Sequence, residues 1–282
     1  MEKQQYDAYT QLVFSPINGR TISTERYFTG NARVSARLPM EENGAYHMLI
    51  TTGGGLVEGE KYKVDVEVKE NAHALLVSQA PTYLFRCLEH KQTIQETNLK
   101  VEEKGILEFL MDDLIPYETA NFWQKNEIHL AKNASLIYLD GVTAGWAENQ
   151  LPFQYEELRL ETKVYVEEEL IFYDHFYSSP KKQGELERLG VLEGKTNYNS
   201  LIVIHPEIDE NFIDELRAEL KGETSLYGIS ELEKPGFVVR ILGDSVDENK
   251  HLIYRCANFV RQQLFHLPSY TLRKNDYYEQ IC

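Results

Sequence analysis

The stretch from about 60 to 177 alternates apolar and polar residues with a step of two and is rich in Val, Ile, Leu, Tyr and Phe. Such alternation predicts β-strands that bury one face. Within it one pattern recurs, an alternating strand, a polar turn and a second strand. The four copies span 64–77, 99–110, 128–139 and 164–173.

The copies can be aligned on Val66, Leu99, Ile128 and Val164, at offsets of 33, 29 and 36 residues. A single strand-turn-strand unit cannot bury its apolar face, so neighbouring copies must stack. The pattern therefore predicts a mainly β fold of stacked hairpin layers, similar to a β-helix. An ordinary β-sandwich, whose hairpins resemble one another by chance, is the alternative.

The last third of the chain changes character and predicts helices as well as strands. Residues 200–205 and 237–242 have strand patterns. Residues 209–220 predict an amphipathic helix with Asp209 as its N-cap, and Ser245 opens a second helix over 247–266.

These patterns together predict one domain over residues 1–282. Its layered β core spans 20–180, and a small α/β portion with two helices spans 198–270 and packs on that core. No linker composition separates the two parts.

Charge and cysteine content narrow the classes of partner and compartment. The chain carries 29 Lys and Arg against 45 Asp and Glu, a net charge of −16. Such a field repels phosphate backbones and anionic lipids, which predicts neither nucleic-acid nor membrane partners and leaves room for a cationic partner or a metal ion. Three widely spaced cysteines, no signal-like segment and no long apolar stretch predict a cytoplasmic protein.

Standard catalytic motifs are missing from the sequence. The glycine-rich stretch 53–61 differs from a phosphate-binding loop, because Glu60 stands where the lysine belongs and a strand pattern follows. The sequence also lacks GxSxG, HExxH and clustered His/Cys spacings. Asp112, Asp113, Asp140 and Glu148 follow the repeated units, either as carboxylates gathered at one end of the stack or as solvated turn acids.

The segments between the copies carry a family resemblance. They are 53–60, 78–86, 107–120 and 139–148, and their order and spacing resemble the urease accessory protein D family, also called H. Glu60 stands where the family pattern has Asp, and Tyr83 where it has Lys. The residues that match the pattern and that we expect to hold turns are Gly54, Gly55, Gln79, Thr82, Pro116 and Gly141.

The resemblance implies a non-enzymatic scaffold that docks on apo-urease and recruits the accessory proteins F and G, the latter a GTPase. It also implies help with nickel delivery, with nickel bound only in transit and no tightly held cofactor. Carboxylate oxygens suit that role because they release a divalent ion readily. The candidates for lining the nickel path are Glu60, Asp112, Glu118, Asp140 and Glu148.

Two other functions remain as alternatives. A carbohydrate-active enzyme of the β-helix type would use carboxylates near Asp112 and Asp140. The lack of a secretion signal argues against that enzyme. A binding module for an unrelated protein is the third hypothesis, because stacked repeats present broad surfaces.

Overall fold

The computed structural model describes residues 5–40, 43–183 and 192–272. Most of the secondary structure in these ranges is β. In chain order the strands are β1 Ala8–Ile17, β2 Arg20–Phe28, β3 Ala32–Val34, β4 Ala45–Thr51, β5 Gly55–Leu56, β6 Lys61–Val68, β7 His73–Ser78, β8 Thr82–Leu84, β9 Thr93–Val101, β10 Ile106–Leu110, β11 Leu114–Pro116, β12 Asn121–Leu130, β13 Ser135–Thr143, β14 Glu157–Val166, β15 Glu169–Ser178, β16 Asn197–Ile204, β17 Leu226–Glu231 and β18 Gly236–Gly243.

The helices are α1 Pro180–Gln183, α2 Glu210–Glu219 and α3 Val246–Val260, and a π-helical turn, Arg261–Phe265, continues α3. The two helices predicted from sequence are confirmed with their caps. Asp209 accepts a hydrogen bond from the Phe212 backbone N–H, and Ser245 accepts from Asp247 and Glu248. No helix in the described ranges is both long and apolar enough to cross a membrane.

The strands form two sheets. The first sheet has the order β15-β14-β12-β9-β6-β1-β2, and the second has the order β17-β18-β16-β13-β10-β7-β4-β3 with the short strands β5, β8 and β11 beside it. Neighbours from β6 to β14 in the first sheet and from β4 to β13 in the second pair in parallel. The predicted mainly β, layered fold is therefore confirmed.

The strand-turn-strand units are arches and not hairpins, which corrects the predicted pairing. In the first three copies, one strand lies in the first sheet and the next lies in the second, so each pairs with a neighbouring copy. The fourth copy alone is a hairpin, because β15 folds back antiparallel on β14. Alternation along a strand fixes which face is buried but carries no information about its partner.

The alignment of the copies is the register of the first sheet. Val66 lies opposite Leu99, Leu99 opposite Ile128, and Ile128 opposite Val164. All four side chains are buried in one apolar cluster that also contains side chains of the second sheet. The stack thus makes one continuous interior between the sheets, as the repeat predicted.

One outward row of the first sheet alternates in charge. Lys63, Glu96, Lys125 and Glu161 lie opposite one another on four successive strands. Lys125 Nζ lies 3.3 Å from Glu96 Oε1. Opposite charges on neighbouring strands favour this register over a shifted one, although exposed pairs of this kind each contribute little.

The second sheet is buried on both faces, which explains its longer apolar runs. One face meets the first sheet, and the other packs against α2 and α3 through residues such as Leu75, Ile137, Leu216 and Cys256. β16 pairs antiparallel with β13, so the strands of the C-terminal portion extend this sheet. The residue limits of the predicted core and C-terminal portion remain predictions.

A buried ion pair joins the C-terminal portion to the stacked strands. Glu108 of β10 is fully buried, and Arg261 Nη1 lies 2.7 and 2.8 Å from its two carboxylate oxygens. His73 Nε2 lies 2.7 Å from the same carboxylate, and the Tyr270 hydroxyl also donates to it. Burial opposes the charged form, yet these partners hold the pKa of Glu108 below its usual value.

We expect Glu108→Ala to lower the free energy of unfolding by about 3 to 5 kcal/mol, because the Arg261 guanidinium stays buried without its carboxylate. The control Glu127→Ala removes an exposed carboxylate and should cost less than about 1 kcal/mol. The double variant Glu108→Met/Arg261→Met should recover most of the loss. Denaturant unfolding measures the stability of all three variants. Equal stability of Glu108→Ala and Glu127→Ala would contradict the assigned role of the Glu108–Arg261 pair.

Candidate functional site

The short strands form a third side of the stack, and the segments between the repeats meet there. Gly55 of β5 pairs with Tyr83 of β8, and Tyr83 pairs in turn with Ile115 of β11. In the next layer of the stack, Tyr117 forms an isolated parallel β-bridge with Trp146. Segments that lie about thirty residues apart in sequence are therefore neighbours in space, in fixed parallel register.

Aromatic side chains line this third side. Tyr83 and Phe85 lie 5.6 and 5.9 Å from the ring of Tyr117, and Trp146 lies 5.2 Å from it on the other side. We call Tyr83, Phe85, Tyr117 and Trp146 the aromatic face. Tyr83 is 36% and Trp146 50% exposed, which leaves large apolar rings open to solvent.

Arg86 connects the aromatic face with two of the predicted carboxylates. Its Nη2 lies 2.9 Å from Glu118 Oε1 and 3.0 Å from Glu148 Oε1, and its guanidinium lies 6.0 Å from the centre of the Trp146 ring. The Glu148 backbone N–H also donates to Glu118. Glu118 and Glu148 are thus brought together, but around a cation and not around an open metal site.

Two glycines of the motif segments are required by close packing. A Cβ at Gly55 would lie 2.4 Å from the Tyr83 carbonyl oxygen. A Cβ at Gly141 would lie 2.1 Å from both Asn199 Nδ2 and Asp113 Oδ1. Gly54 differs from these, because it has open space around it and a φ of +84°, so its backbone conformation is what requires glycine.

The other expected turn residues also hold backbone contacts. Gln79 donates its backbone N–H to the Leu49 carbonyl at 3.0 Å, and Thr82 donates to the Asp113 carbonyl at 3.2 Å. The carbonyl of Pro116 accepts from the Trp146 N–H at 2.9 Å. A cavity of 180 Å³ lies beside Gly54, Gln79 and Thr82.

Asp112 faces the helices. Its Oδ2 accepts a hydrogen bond from Ser78 at 2.8 Å, and its Oδ1 lies 3.2 Å from Lys250 Nζ of α3. The neighbouring Asp113 accepts from Asn199 at 2.5 Å, and Asn249 of α3 donates to Asn199 at 2.8 Å. These two acids fasten the ends of the second-sheet strands to α3.

Asp140 lies in a polar part of the space between the sheets. Its Oδ2 accepts from Gln124 at 3.0 Å and its Oδ1 from the Gly141 N–H at 2.9 Å. A cavity of 10 Å³ beside it is also lined by Asp174 and Ser200. Burial, with a contribution from the nearby Asp174 charge, raises the pKa of Asp140 to about 6.

Glu60 lies apart from the other four candidates. It accepts a hydrogen bond from Tyr62, whose pKa is raised by burial and by this carboxylate. The five predicted carboxylates therefore occupy four separate places. In the part of the chain that the structure describes, no three His, Cys, Asp or Glu residues come together as a metal site.

Comparison with known proteins gives a consistent result over nearly the whole chain. The family model described as UreD urease accessory protein matches residues 6–276. The chain belongs to this family. A urease accessory protein UreD of Streptococcus salivarius (strain 57.I) is 44% identical over 275 residues, covering 97% of this chain and 98% of the relative. The UreD of Lachnoclostridium phytofermentans (strain ATCC 700394 / DSM 18823 / ISDg) is 31% identical over 264 residues, covering 92% and 95%.

Membership of the UreD family confirms the resemblance noted in the sequence and makes the chain an accessory protein and not an enzyme. The geometry agrees with the family's motif segments, because they converge on the third side. Sequence reasoning did not single out Arg86, Tyr117 or Trp146. Their position in the sequence could have indicated them, since each lies within one of the motif segments that carry the family resemblance.

The raised pKa of Asp140 gives a prediction for stability. A carboxyl whose pKa is higher in the folded state stabilises the fold fully below its unfolded pKa, and this contribution is lost as pH rises through the folded value. Between about pH 5.5 and about pH 8, Asp140 should therefore cost the wild type about 1 kcal/mol. Denaturant unfolding at both pH values should show that Asp140→Asn loses about this much less, and an identical pH dependence would contradict the raised pKa.

Proposed function

We propose that this chain is a scaffold for urease maturation that docks on apo-urease, recruits the accessory proteins F and G and helps deliver nickel. The observation that carries the proposal is the aromatic face, built from the motif segments of a family named for accessory action on urease. A scaffold requires an exposed surface that binds partner proteins, and it does not require a substrate cleft.

The composition of the aromatic face supports docking. Tryptophan, tyrosine and arginine are the residues most enriched among those that dominate binding energy at protein interfaces. Here Tyr83, Tyr117 and Trp146 lie in one row, and Arg86 lies beside them. We assign the aromatic face to the urease subunits.

The stacked strands hold this face in place before any partner binds. The backbone of each short strand is paired to the next, so the rings gain their spacing from the β register and not from flexible loops. A surface ordered in advance loses less conformational entropy on binding. The scaffold therefore needs no rearrangement of the aromatic face to receive urease.

The surroundings of Asp140 support a place for nickel as cargo. Asp112, Glu118 and Glu148 have lysine or arginine partners, whereas Asp140 has no ion pair with a basic residue described in the structure. Ser200 Oγ and Asn126 Oδ1 near it lack hydrogen-bond partners in the described ranges. A divalent cation would meet a carboxylate that has no cationic partner among the described residues and two oxygen atoms without hydrogen-bond partners, and it would favour the charged form of Asp140.

The carbohydrate-enzyme alternative gains no support from the geometry. Asp112 is paired with Lys250 beneath α3, and Asp140 lies between the sheets. Two carboxylates that flank a bound sugar would have to reach one cleft. These two face different sides of the second sheet.

The docking assignment is tested by Trp146→Ala. We expect it to weaken capture of purified apo-urease about 30-fold, the loss typical of a dominant interface residue. The matched control Tyr173→Ala removes a 52% exposed ring from β15 and should bind as the wild type does. Titration of both variants measures the effect. Unchanged affinity in Trp146→Ala/Tyr83→Ala would remove urease from the aromatic face.

The nickel assignment is tested by Asp140→Asn. Because burial raises the pKa of Asp140 to about 6, its site should tolerate a neutral side chain, and this variant should fold and assemble with urease, F and G as the wild type does. Urease activated in its presence should contain less nickel, measured per active site by metal analysis. Glu103→Gln, a substitution in an exposed turn, is the control. Normal nickel content with Asp140→Asn would take Asp140 out of the path.

A further inference from the structure

Four arginines gather in an otherwise acidic protein. Residues 20–40 contain Arg20, Arg26, Arg33 and Arg37 and a single acidic residue, Glu25, in a chain with a net charge of −16. All four guanidinium groups are exposed, and none forms an ion pair with a carboxylate described in the structure. We call these four arginines and β2 the arginine edge.

Three of the four arginines hydrogen-bond to backbone carbonyls instead. Arg26 Nη1 donates to the Ser35 carbonyl at 3.1 Å, and Arg37 Nη2 donates to the Gly44 carbonyl at 2.5 Å. Arg33 Nη1 donates to the carbonyls of Gly30 and Ala32. These bonds hold the side chains in position but leave their positive charge without a carboxylate partner among the described residues.

The arginine edge lies where both sheets end. β2 is the last strand of the first sheet, and β3 is the last strand of the second sheet on the same end of the stack. Six of the nine residues of β2 are exposed. Apart from its pairing with β1, β2 makes one backbone hydrogen bond to another described residue, from the Thr21 N–H to the Asn43 carbonyl. An open strand edge is a template for a further strand.

Two of the arginines, Arg26 and Arg37, lie near the same buried histidine, His47. His47 of β4 is 3% exposed, and its Nδ1 donates to the Ser35 carbonyl at 3.0 Å. Burial and the nearby charges of Arg26 and Arg37 hold the pKa of His47 below its usual value. The two guanidinium groups therefore concentrate positive potential beside the junction of β2 with the second sheet.

We propose that the arginine edge binds an extended acidic segment of a partner protein, which adds to β2 as a further strand. Main-chain hydrogen bonds to an open edge supply affinity in this mode, and side-chain charges supply selectivity. An extended acidic polypeptide meets both features, whereas nucleic acid and anionic lipid offer no strand that could pair with β2. This surface shares no residue with the aromatic face, so the inference stands apart from the urease-docking assignment.

The probe is a labelled peptide of alternating Glu and Thr, titrated against the full chain at low and high salt. We expect binding that weakens as salt increases, and at least about a tenfold loss of affinity in Arg26→Glu/Arg37→Glu. The control Lys104→Glu/Lys132→Glu makes the same change in charge at two exposed turns of the stack and should bind as the wild type does. Thermal unfolding of both variants verifies that each is folded.

Strand addition has its own readout. The same peptide methylated on alternate backbone nitrogens keeps its charge but cannot pair, and should lose its binding. Amide exchange of β2 should slow only with the unmodified peptide. Equal affinity for the methylated peptide, equal affinity in Arg26→Glu/Arg37→Glu, or tighter binding of single-stranded RNA or phosphatidylserine vesicles than of the peptide would each overturn the proposal.

Discussion

One strand-turn-strand unit of this chain, which we call a coil, cannot bury its own inner face. The whole structure depends on the parallel stacking of neighbouring coils, which buries these faces together. Val66, Leu99, Ile128 and Val164 meet in one row because each lies opposite the next across adjacent strands. A slip of one residue would turn every one of them towards solvent. Since the register is fixed by the interior, everything attached to the coils is fixed with it, including the aromatic face on the third side.

The second sheet is covered on both faces, and the position of the helices on its outer face must also be fixed. Apolar contacts with α2 and α3 would leave the helices free to slide, since the hydrophobic effect has no direction. Directional contacts oppose that freedom, because Glu108 pairs with Arg261 and Asp112 pairs with Lys250. These pairs join β10 and the residues directly after it to α3 and its π-helical continuation. Buried pairs of this kind give little net stability, but they penalise any packing that separates the partners.

The sequence was informative about the fold wherever local physics decides the structure. Alternation located the strands, the repeat predicted their register, and Asp209 and Ser245 marked the helix starts. It was wrong about hairpins, because a polar turn does not reveal whether the next strand pairs back or crosses to another sheet. It did not resolve the site either. Asp112 and Glu118 lie just after strands and Asp140 lies within one. Their side chains nevertheless point towards α3, the third side and the interior respectively, which only the complete packing determines.

The two proposed partner surfaces are separate in chemistry as well as in place. The aromatic face offers large rings with a cation held between carboxylates. The arginine edge instead offers guanidinium groups without a carboxylate partner in the described ranges, beside an open strand. The cavity beside Gly54 borders both, since Arg33 and Tyr83 both line it. A scaffold that binds one partner by apolar contact and another by charge can hold both at once, because neither competes for the other's residues. Rigid stacking then sets the distance between them.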